Sequence, residues 1–175
     1  GQKIPNYRFS EFENDGKWVK DTLGNRGDFR GGGTPSKGTP AFWKGDFPWV
    51  SSSDISEDSI HHIEKTRFIT KDAIKNSATK VVPKNSLLIV SRVGVGKLAV
   101  TTDEISTSQD FTSFTPQNDD VVFLGYYLKC NKNIFLGFSQ GMAIKGFTKD
   151  DIVTLSLSFP TDLKEEQKIA SCLSA

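Results

Sequence analysis

Hydrophobic and polar residues alternate most regularly near the end of the chain. Residues 153–159 (VTLSLSF) place apolar side chains at every second position, which is the period of a half-buried β-strand. Two runs rich in β-branched residues, 87–91 and 98–102, are joined by a glycine-bearing turn. They predict a hairpin or two adjacent strands. Residues 48–50 (PWV) predict a further short strand.

Helix signals lie between these strands. Thr70 is a favourable N-cap for a short helix that would reach about residue 78. Residues 118–120 (NDD) can cap a helix through the apolar run 121–128, although that run is also compatible with a strand. Residues 18–23 are a short helical candidate in the otherwise irregular entry to the chain.

The last predicted helix begins after Pro160. Asp162 and Glu165 have the spacing of a capping box, and the apolar residues among 169–173 fall on one face. A helix of barely three turns is too short to be stable alone, and its apolar face has no evident partner in the chain. We therefore expect residues 1–160 to form one globular domain and residues 161–175 to begin a longer, truncated helix.

The amino-acid composition restricts the class of protein and its location. The chain has 175 residues, 36% hydrophobic and 25% charged, which is ordinary for one soluble globular domain. Neither a bilayer-spanning run of about 18 to 20 apolar residues nor a signal peptide is found, so we expect a cytoplasmic protein without a membrane partner. Cys130 and Cys172 have no CxxC spacing and predict free thiols. The adjacent His61 and His62 cannot complete a metal site with them.

Charge is unevenly distributed along a nearly neutral chain. The net charge of +1 argues weakly against a nucleic-acid partner. Residues 61–100, however, carry eight Lys or Arg and two acidic residues, a balance of +6, whereas residues 101–130 carry one Lys and five acidic residues, a balance of −4. Such segregation predicts either one phosphate-facing surface or a solvated basic face.

The most unusual segment is residues 31–55 (GGGTPSKGTPAFWKGDFPWVSSSDI), which fits neither a helical nor a strand period. It places Trp43 and Trp49 in a loop punctuated by glycine and proline, where a simple connection would be small and polar. Such a loop is expected to be packed and shaped. We interpret both tryptophans as anchors of the loop and core rather than as exposed platforms for base stacking.

This segment resembles the GGTPS and PWvs..D signature that opens the target-recognition domains of type I restriction-modification specificity subunits. Residues 159–170 (FPTDLKEEQKIA) are similar to the helix start of the same family, and segments 82–86, 91–96 and 106–109 match positions between the two motifs. The resemblance runs from about Lys3 to the last residue. The sequence departs from the family pattern at Ser108, where the family usually has Asn. A serine hydroxyl can replace the oxygen acceptor of an asparagine side chain but not its amide donor.

The resemblance, together with the element pattern, predicts an α/β (α+β) target-recognition domain with a twisted mixed sheet. It implies a non-catalytic, sequence-specific DNA-binding domain that reads one half of a split target in double-stranded DNA. Methyltransferase subunits carrying S-adenosylmethionine would methylate adenine, and a restriction (motor) subunit using ATP and Mg would cleave. The chain itself would bind no cofactor or metal, and a second recognition domain or copy would read the other half.

Side chains suited to contact DNA lie in or beside the predicted loops. Arg and Gln can discriminate bases, whereas Lys and hydroxyl groups position the phosphate backbone. We expect about half of the candidates to touch DNA. The candidates are Lys37, Lys44, Ser51, Ser52, Ser53, Arg92, Lys97, Gln109, Gln140 and Lys145.

The sequence gives weaker support for functions other than DNA recognition. Residues 94–97 (GVGK) lack the spacing of a Walker loop and the helix that follows a dinucleotide fingerprint, so they predict a tight turn. Neither a nuclease nor a methyltransferase motif is recognisable. A protein-interaction or ligand-binding module with an apolar Trp/Gly/Pro groove remains the alternative, and the recognition domain of a single-chain restriction-methyltransferase is a second one.

Overall fold

The computed structural model describes residues 8–138 and 146–175 and has a mixed α/β architecture, as predicted. Its strands are β1 (Val19–Thr22), β2 (Gly27–Gly31), β3 (Phe47–Val50), β4 (Arg67–Ile69), β5 (Val81–Val82), β6 (Leu87–Val90), β7 (Leu98–Val100), β8 (Ile105–Thr107), β9 (Phe111–Pro116) and β10 (Ser156–Phe159). Its α-helices are α1 (Lys71–Asn76), α2 (Val121–Cys130), α3 (Asn133–Phe138), α4 (Lys149–Val153) and α5 (Leu163–Ser174).

The first four-stranded sheet has the order β2-β9-β6-β7, and its neighbouring strands are antiparallel. The β6–β7 pair confirms the predicted hairpin and pairs Leu87 with Val100. Its turn contains Gly94 and Gly96, whose φ angles of 86° and 89° lie in the region that only glycine enters without strain. The predicted tight turn is therefore confirmed.

The second four-stranded sheet has the order β4-β3-β8-β5 and is mixed, because β3 runs parallel to β8 and antiparallel to β4. The strand predicted at residues 48–50 is confirmed as β3. Its register places Trp49 directly opposite Arg67 of β4. The mixed sheet is thus present, but the described strands are divided among two four-stranded sheets and the separate pair β1–β10.

The pair β1–β10 corrects two predictions. Residues 18–23 do not form the predicted helix, because Val19–Thr22 is a strand whose ladder to β10 runs from Val19–Phe159 to Thr22–Ser156, and Leu23 begins a short 3-10 helix. A partner strand overrides weak local propensity. The strand predicted over 153–159 begins only at Ser156, since Thr148 and Asp151 form a capping box that starts α4 and carries the helix to Val153.

The larger part of the core lies between the β2-β9-β6-β7 sheet and helix α2. Leu87 and Phe114 of the sheet belong to the same buried cluster as Phe123 and Leu124 of α2. The helical alternative for residues 121–128 is confirmed, and the Asp120 carboxylate caps α2 by accepting the N–H groups of Val122 and Phe123 at 2.9 Å each. Burial of a continuous apolar face then stabilises the helix.

Helix α5 packs against α2, which corrects the expectation that its apolar face has no partner in the chain. Ala170 is buried in the core cluster and Ile169 packs against it, whereas Leu173 is exposed. The face predicted from spacing is therefore divided between the core and solvent.

Glu165 does not complete the predicted capping box. Its buried carboxylate instead accepts hydrogen bonds from Arg8 Nε at 2.7 Å and from Trp18 Nε1 at 3.1 Å. The Asp162 carboxylate alone caps α5, by accepting the Lys164 N–H at 2.9 Å. Glu165 thereby fastens the entry segment of the chain to α5.

The cysteines and histidines lie at the surface of the protein. Cys130 and Cys172 are exposed free cysteines, and an imidazole nitrogen of His61 lies 3.0 Å from the Tyr126 hydroxyl. Residues 8–138 and 146–175 contain no cluster of His, Cys, Asp and Glu that could hold a metal ion. In the same part of the chain, no helix has the length and apolar character to cross a bilayer.

Candidate nucleic-acid interface

A cleft of about 720 Å³ opens beside the loop of residues 31–55. Its walls come from that loop, from β3 and β4 and from the turn after β8. Four of the predicted DNA-binding residues line it, namely Lys37, Lys44, Ser51 and Gln109. Segments far apart in sequence thus converge on one concave surface.

The glycine run shapes one wall of the cleft. The N–H of Gly33 donates to the Thr107 carbonyl at 2.8 Å, so the loop lies against the end of β8. A β-carbon on Gly32 would overlap the Ser108 carbonyl, and one on Gly33 would overlap the Ala78 carbonyl. Only glycine permits this approach of one main chain to another.

The two tryptophans hold the loop in shape. The indole N–H of buried Trp49 donates to the Gly33 carbonyl at 3.0 Å, and that of Trp43 donates to the Ser36 carbonyl at 3.2 Å. Their rings meet edge to face with centroids 5.1 Å apart, a favourable arrangement for aromatic pairs. Both tryptophans are therefore anchors, as predicted, and half-buried Trp43 also presents part of its ring to the cleft.

Two of the sequence motifs meet inside the cleft. The Thr34 hydroxyl of the glycine loop donates a hydrogen bond to Gln109 Oε1 of the turn after β8. In that turn, Ser108 Oγ accepts the Asp110 N–H at 3.3 Å and donates to an Asp110 carboxylate oxygen at 3.1 Å. The acceptor role of Ser108 requires only an oxygen, which explains why serine can stand there in place of asparagine.

Arg67 is a cleft residue that the sequence did not identify. Its guanidinium lies over the Trp49 ring, 4.8 Å from the centroid. Nη2 donates to Ser51 Oγ at 2.7 Å and forms an ion pair with Asp54. The signal available was an arginine within the basic segment 61–100, but its position depends on the β3–β4 register.

The serines of residues 51–53 do not share one role. Ser51 lines the cleft, and its N–H donates to Asp54 Oδ2 at 2.7 Å in the capping box of a 3-10 turn. Ser53 is exposed, with its hydroxyl 2.9 Å from that of Ser51. Ser52 is only 8% exposed, so it presents less surface to a ligand than the two serines beside it.

Arg92 and Lys97 lie in the β6–β7 turn rather than in the cleft. The N–H and hydroxyl of Ser91 both donate to the carbonyl of the cleft residue Asp110, at 2.7 and 3.0 Å, so this turn begins next to the cleft wall. Arg92 is exposed there. Lys97 Nζ lies 3.5 Å from a Glu57 carboxylate oxygen and lines a separate niche of about 200 Å³.

The remaining candidates, Gln140 and Lys145, lie outside the described residues. Within the described part of the chain, the cleft combines two lysines and one arginine with one amide, three hydroxyl residues and one acidic residue, Asp110. Cations of this kind contact phosphates, and amide and guanidinium groups can hydrogen-bond base edges.

Comparison with known proteins gives a consistent result. A family model described as "Type I restriction modification DNA specificity domain" matches residues 15–175. The chain is 30% identical over 167 residues to the MjaIX specificity subunit of Methanocaldococcus jannaschii, covering 91% of the chain and 37% of that subunit. It is 27% identical over 160 residues to the EcoR124I/EcoR124II specificity subunit of Escherichia coli, covering 87% of the chain and 39% of that subunit. The chain thus spans less than half the length of these relatives.

Solved structures share the fold. The HsdS subunit of Thermoanaerobacter tengcongensis superposes with a TM-score of 0.67 at 20% identity, over 99% of this chain and 39% of that one. A chain from a study of complex assembly and conformational transition in the type I R-M system gives a TM-score of 0.70 at 18% identity, over 99% of this chain and 40% of that one.

Proposed function

Because the chain belongs to the family of type I restriction-modification DNA specificity domains, we propose that it reads one half of a split target in double-stranded DNA. The proposed reader is non-catalytic. Its specificity resides in the cleft and in the loops that form it, and its place is within a longer specificity subunit.

The convergence of four predicted contact residues in one cleft carries this proposal. Lys37 and Lys44 supply positive charge for phosphates, and Gln109 supplies an amide for base edges. Trp43 and Trp49 hold the loop of residues 31–55 that carries the two lysines, so its main chain is arranged before a ligand arrives. Such preorganisation lowers the entropic cost of binding.

Methylation and cleavage are assigned to partner proteins in this proposal. Methyltransferase subunits with S-adenosylmethionine would modify adenine, and a restriction (motor) subunit with ATP and Mg would cleave DNA in the cytoplasm. The relatives' description as specificity subunits supports this division of labour. Because the chain spans 37% of the MjaIX subunit, a second recognition domain or copy would read the other half-site.

The domain boundary at residue 160 is part of the same proposal. Residues 1–160 would form the recognition domain and residues 161–175 the start of the helix that leads to the rest of the subunit. Support comes from Pro160, which separates β10 from α5. The docking of α5 on α2 then gives the recognition domain a fixed orientation relative to this helix.

An apolar ligand groove is the alternative function, and the same cleft argues against it. Trp43 and Trp49 do line the cleft, but their N–H groups are bonded to the loop, and Lys37, Lys44 and Arg67 line the same space. An apolar ligand would have to desolvate the two lysines without pairing them, which is costly.

Salt dependence of duplex binding tests the proposal. After selection of a preferred duplex from a random library, fluorescence anisotropy would give the dissociation constant at several salt concentrations. Each phosphate contact contributes about 0.9 to the slope of log affinity against log salt. Replacing Lys37 and Lys44 with Gln should therefore reduce the slope by about 2.

The matched control replaces Lys17 and Lys20, two exposed lysines outside the cleft, with Gln. This control should leave the slope unchanged. A chain that selects no sequence and whose binding does not respond to salt would refute the proposed function and favour the apolar alternative.

A further inference from the structure

Arg67 is held at the cleft by contacts with three residues. Its guanidinium stacks on the Trp49 ring, and its Nη2 group is bonded to Ser51 Oγ and paired with the Asp54 carboxylate. Asp54 is itself fixed, because its Oδ2 atom accepts the Ser51 N–H at 2.7 Å. The guanidinium therefore has one orientation relative to the cleft.

The unused donors of Arg67 distinguish it from a purely structural arginine. Among the described residues, Nε and Nη1 have no hydrogen-bond acceptor in the protein, and the side chain is 38% exposed. An arginine donor that is not bonded to protein is satisfied by water or by a ligand. Here these donors belong to a residue that lines the cleft.

Arg26 provides an internal comparison. It also stacks on an aromatic ring, 3.9 Å from the Phe159 centroid, and pairs with an aspartate, Asp119. Its Nε, Nη1 and Nη2 atoms all donate to the carboxylates of Asp21 or Asp119, its side chain is 22% exposed and it does not line the cleft. Arg26 is therefore a structural arginine. Arg67 has the same kinds of contact, with an aromatic ring and an aspartate, but its Nε and Nη1 groups are not hydrogen-bonded to the described residues.

We propose that Arg67 is a specificity-determining residue that reads the major-groove edge of a guanine in the target half-site, with Asp54 as its positioning residue. This inference rests on the proposed DNA-reading function. Guanine presents the acceptors N7 and O6 in the major groove, and arginine is the side chain that most often contacts them. The two N–H groups of Nη1 can approach both acceptors, as a lysine ammonium does, and thymine and cytosine offer no such pair of acceptors.

The position of Arg67 relative to the lysines fits this role. Lys37 and Lys44 line the same cleft and can contact phosphates on the strand that Arg67 reads. Phosphate contacts fix the position of the protein along the duplex, and a base contact at that position then reads the sequence. A cleft with both kinds of group can combine the two functions.

The test measures specificity and stability separately for the 175-residue chain. Once the selected duplex is known, each of its guanines is replaced in turn by adenine, and the affinity ratio is measured for wild type, Arg67→Ala and Arg26→Ala. Arg67→Ala should reduce the preference for guanine at one position by about 10- to 100-fold and leave the salt slope unchanged. Arg26→Ala should lower the melting temperature but keep that preference.

A modified base gives the same test without a mutation. Replacing the guanine at that position with 7-deazaguanine removes the N7 acceptor, so wild-type affinity should fall about 10-fold or more while Arg67→Ala is affected much less. Arg67→Gln keeps a polar side chain, but its amide suits adenine rather than guanine, and it serves if Arg67→Ala does not fold. Asp54→Asn should weaken discrimination at the same guanine and at no other position.

Three outcomes are informative. Full guanine preference in Arg67→Ala, or insensitivity of wild type to 7-deazaguanine at every guanine, would overturn the assignment. Equal weakening on all sequences with a smaller salt slope would also overturn it, because Arg67 would then contact a phosphate. A wild-type chain that selects no sequence would instead refute the proposed function on which the inference rests.

Discussion

Gly33 shows how a single residue sets the shape of the cleft. Its main chain lies so close to Ala78 that a β-carbon would overlap the Ala78 carbonyl, whereas a β-carbon on Gly31, two positions earlier, would meet nothing within 4 Å. The two glycines belong to the same motif but have different physical requirements. The absence of a side chain at Gly33 lets the loop lie against Ala78 while the Gly33 N–H reaches the Thr107 carbonyl at the end of β8.

The first prediction compares these two glycines. Gly33→Ala should destabilise the protein by about 1 to 3 kcal/mol through overpacking. For a chain of this size that corresponds to a fall in melting temperature of roughly 2 to 4 °C per kcal/mol. Gly31→Ala should change the melting temperature far less. Thermal unfolding by circular dichroism measures both, and equal effects of the two substitutions would contradict the close approach.

The cleft residues show what the sequence could predict at this scale. Lys37, Lys44 and Gln109 were predictable because they lie in loops next to recognisable motifs, and the structure brings them together. Arg67 was not, because its place in the cleft depends on pairing with β3 across the sheet. The burial of Ser52 was equally hidden, since the sequence does not show which way each hydroxyl of a serine run points.

Among the secondary-structure elements, the junction of α2 and α5 contains an unusual carboxyl group. Glu166 of α5 is buried, and its Oε2 atom accepts the Asp120 N–H at the start of α2 at 2.8 Å. Burial raises the pKa of the Glu166 carboxyl to about 8; the Asp120 N–H bond opposes this increase, the Asp119 charge adds to it and Arg26 opposes it. The protonated carboxyl is therefore the form that suits this junction.

The second prediction follows from the sign of this shift. Between the ordinary pKa of 4.5 and the folded value of about 8, the folded state keeps a proton that the unfolded state has lost. The contribution of Glu166 to stability is therefore fully present below pH 4.5 and declines as pH rises towards 8. Glu166→Gln is neutral throughout and keeps an acceptor for the Asp120 N–H.

Thermal unfolding across that pH range measures the effect. The melting temperature of Glu166→Gln minus that of wild type should rise as pH increases from 4.5 to 8. Glu13→Gln, at an exposed position, should track wild type over the same range. A constant difference between Glu166→Gln and wild type would show that Glu166 does not titrate in this window.

Helix starts were more predictable than strand ends. Thr70 and Asp120 act as N-caps in the structure, as their chemistry predicts, because a cap is decided by neighbouring residues. The strand β1 was missed because it exists through its ladder to β10, more than 130 residues away. Glu165 was misassigned for a related reason, since its partner Arg8 lies at the opposite end of the chain.

Over the whole molecule, the cleft depends on contacts between distant segments. The parallel pairing of β3 with β8 brings the loop of residues 31–55 next to Ser108 and Gln109. The motifs at residues 31–55 and 106–109 therefore meet at one site although they are separated by many residues of other structure. This explains why a sequence can reveal the family through its motifs while leaving the full set of cleft residues unassigned.

The most direct measurement of the central claim is methylome sequencing. A host would express a complete specificity subunit containing this chain together with its methyltransferase, and a second host would express a variant whose residues 31–150 come from another such domain. The account predicts that half of a split adenine-methylation motif changes and the other half does not. An unchanged motif in a complex that still assembles would contradict the claim that this chain reads DNA sequence.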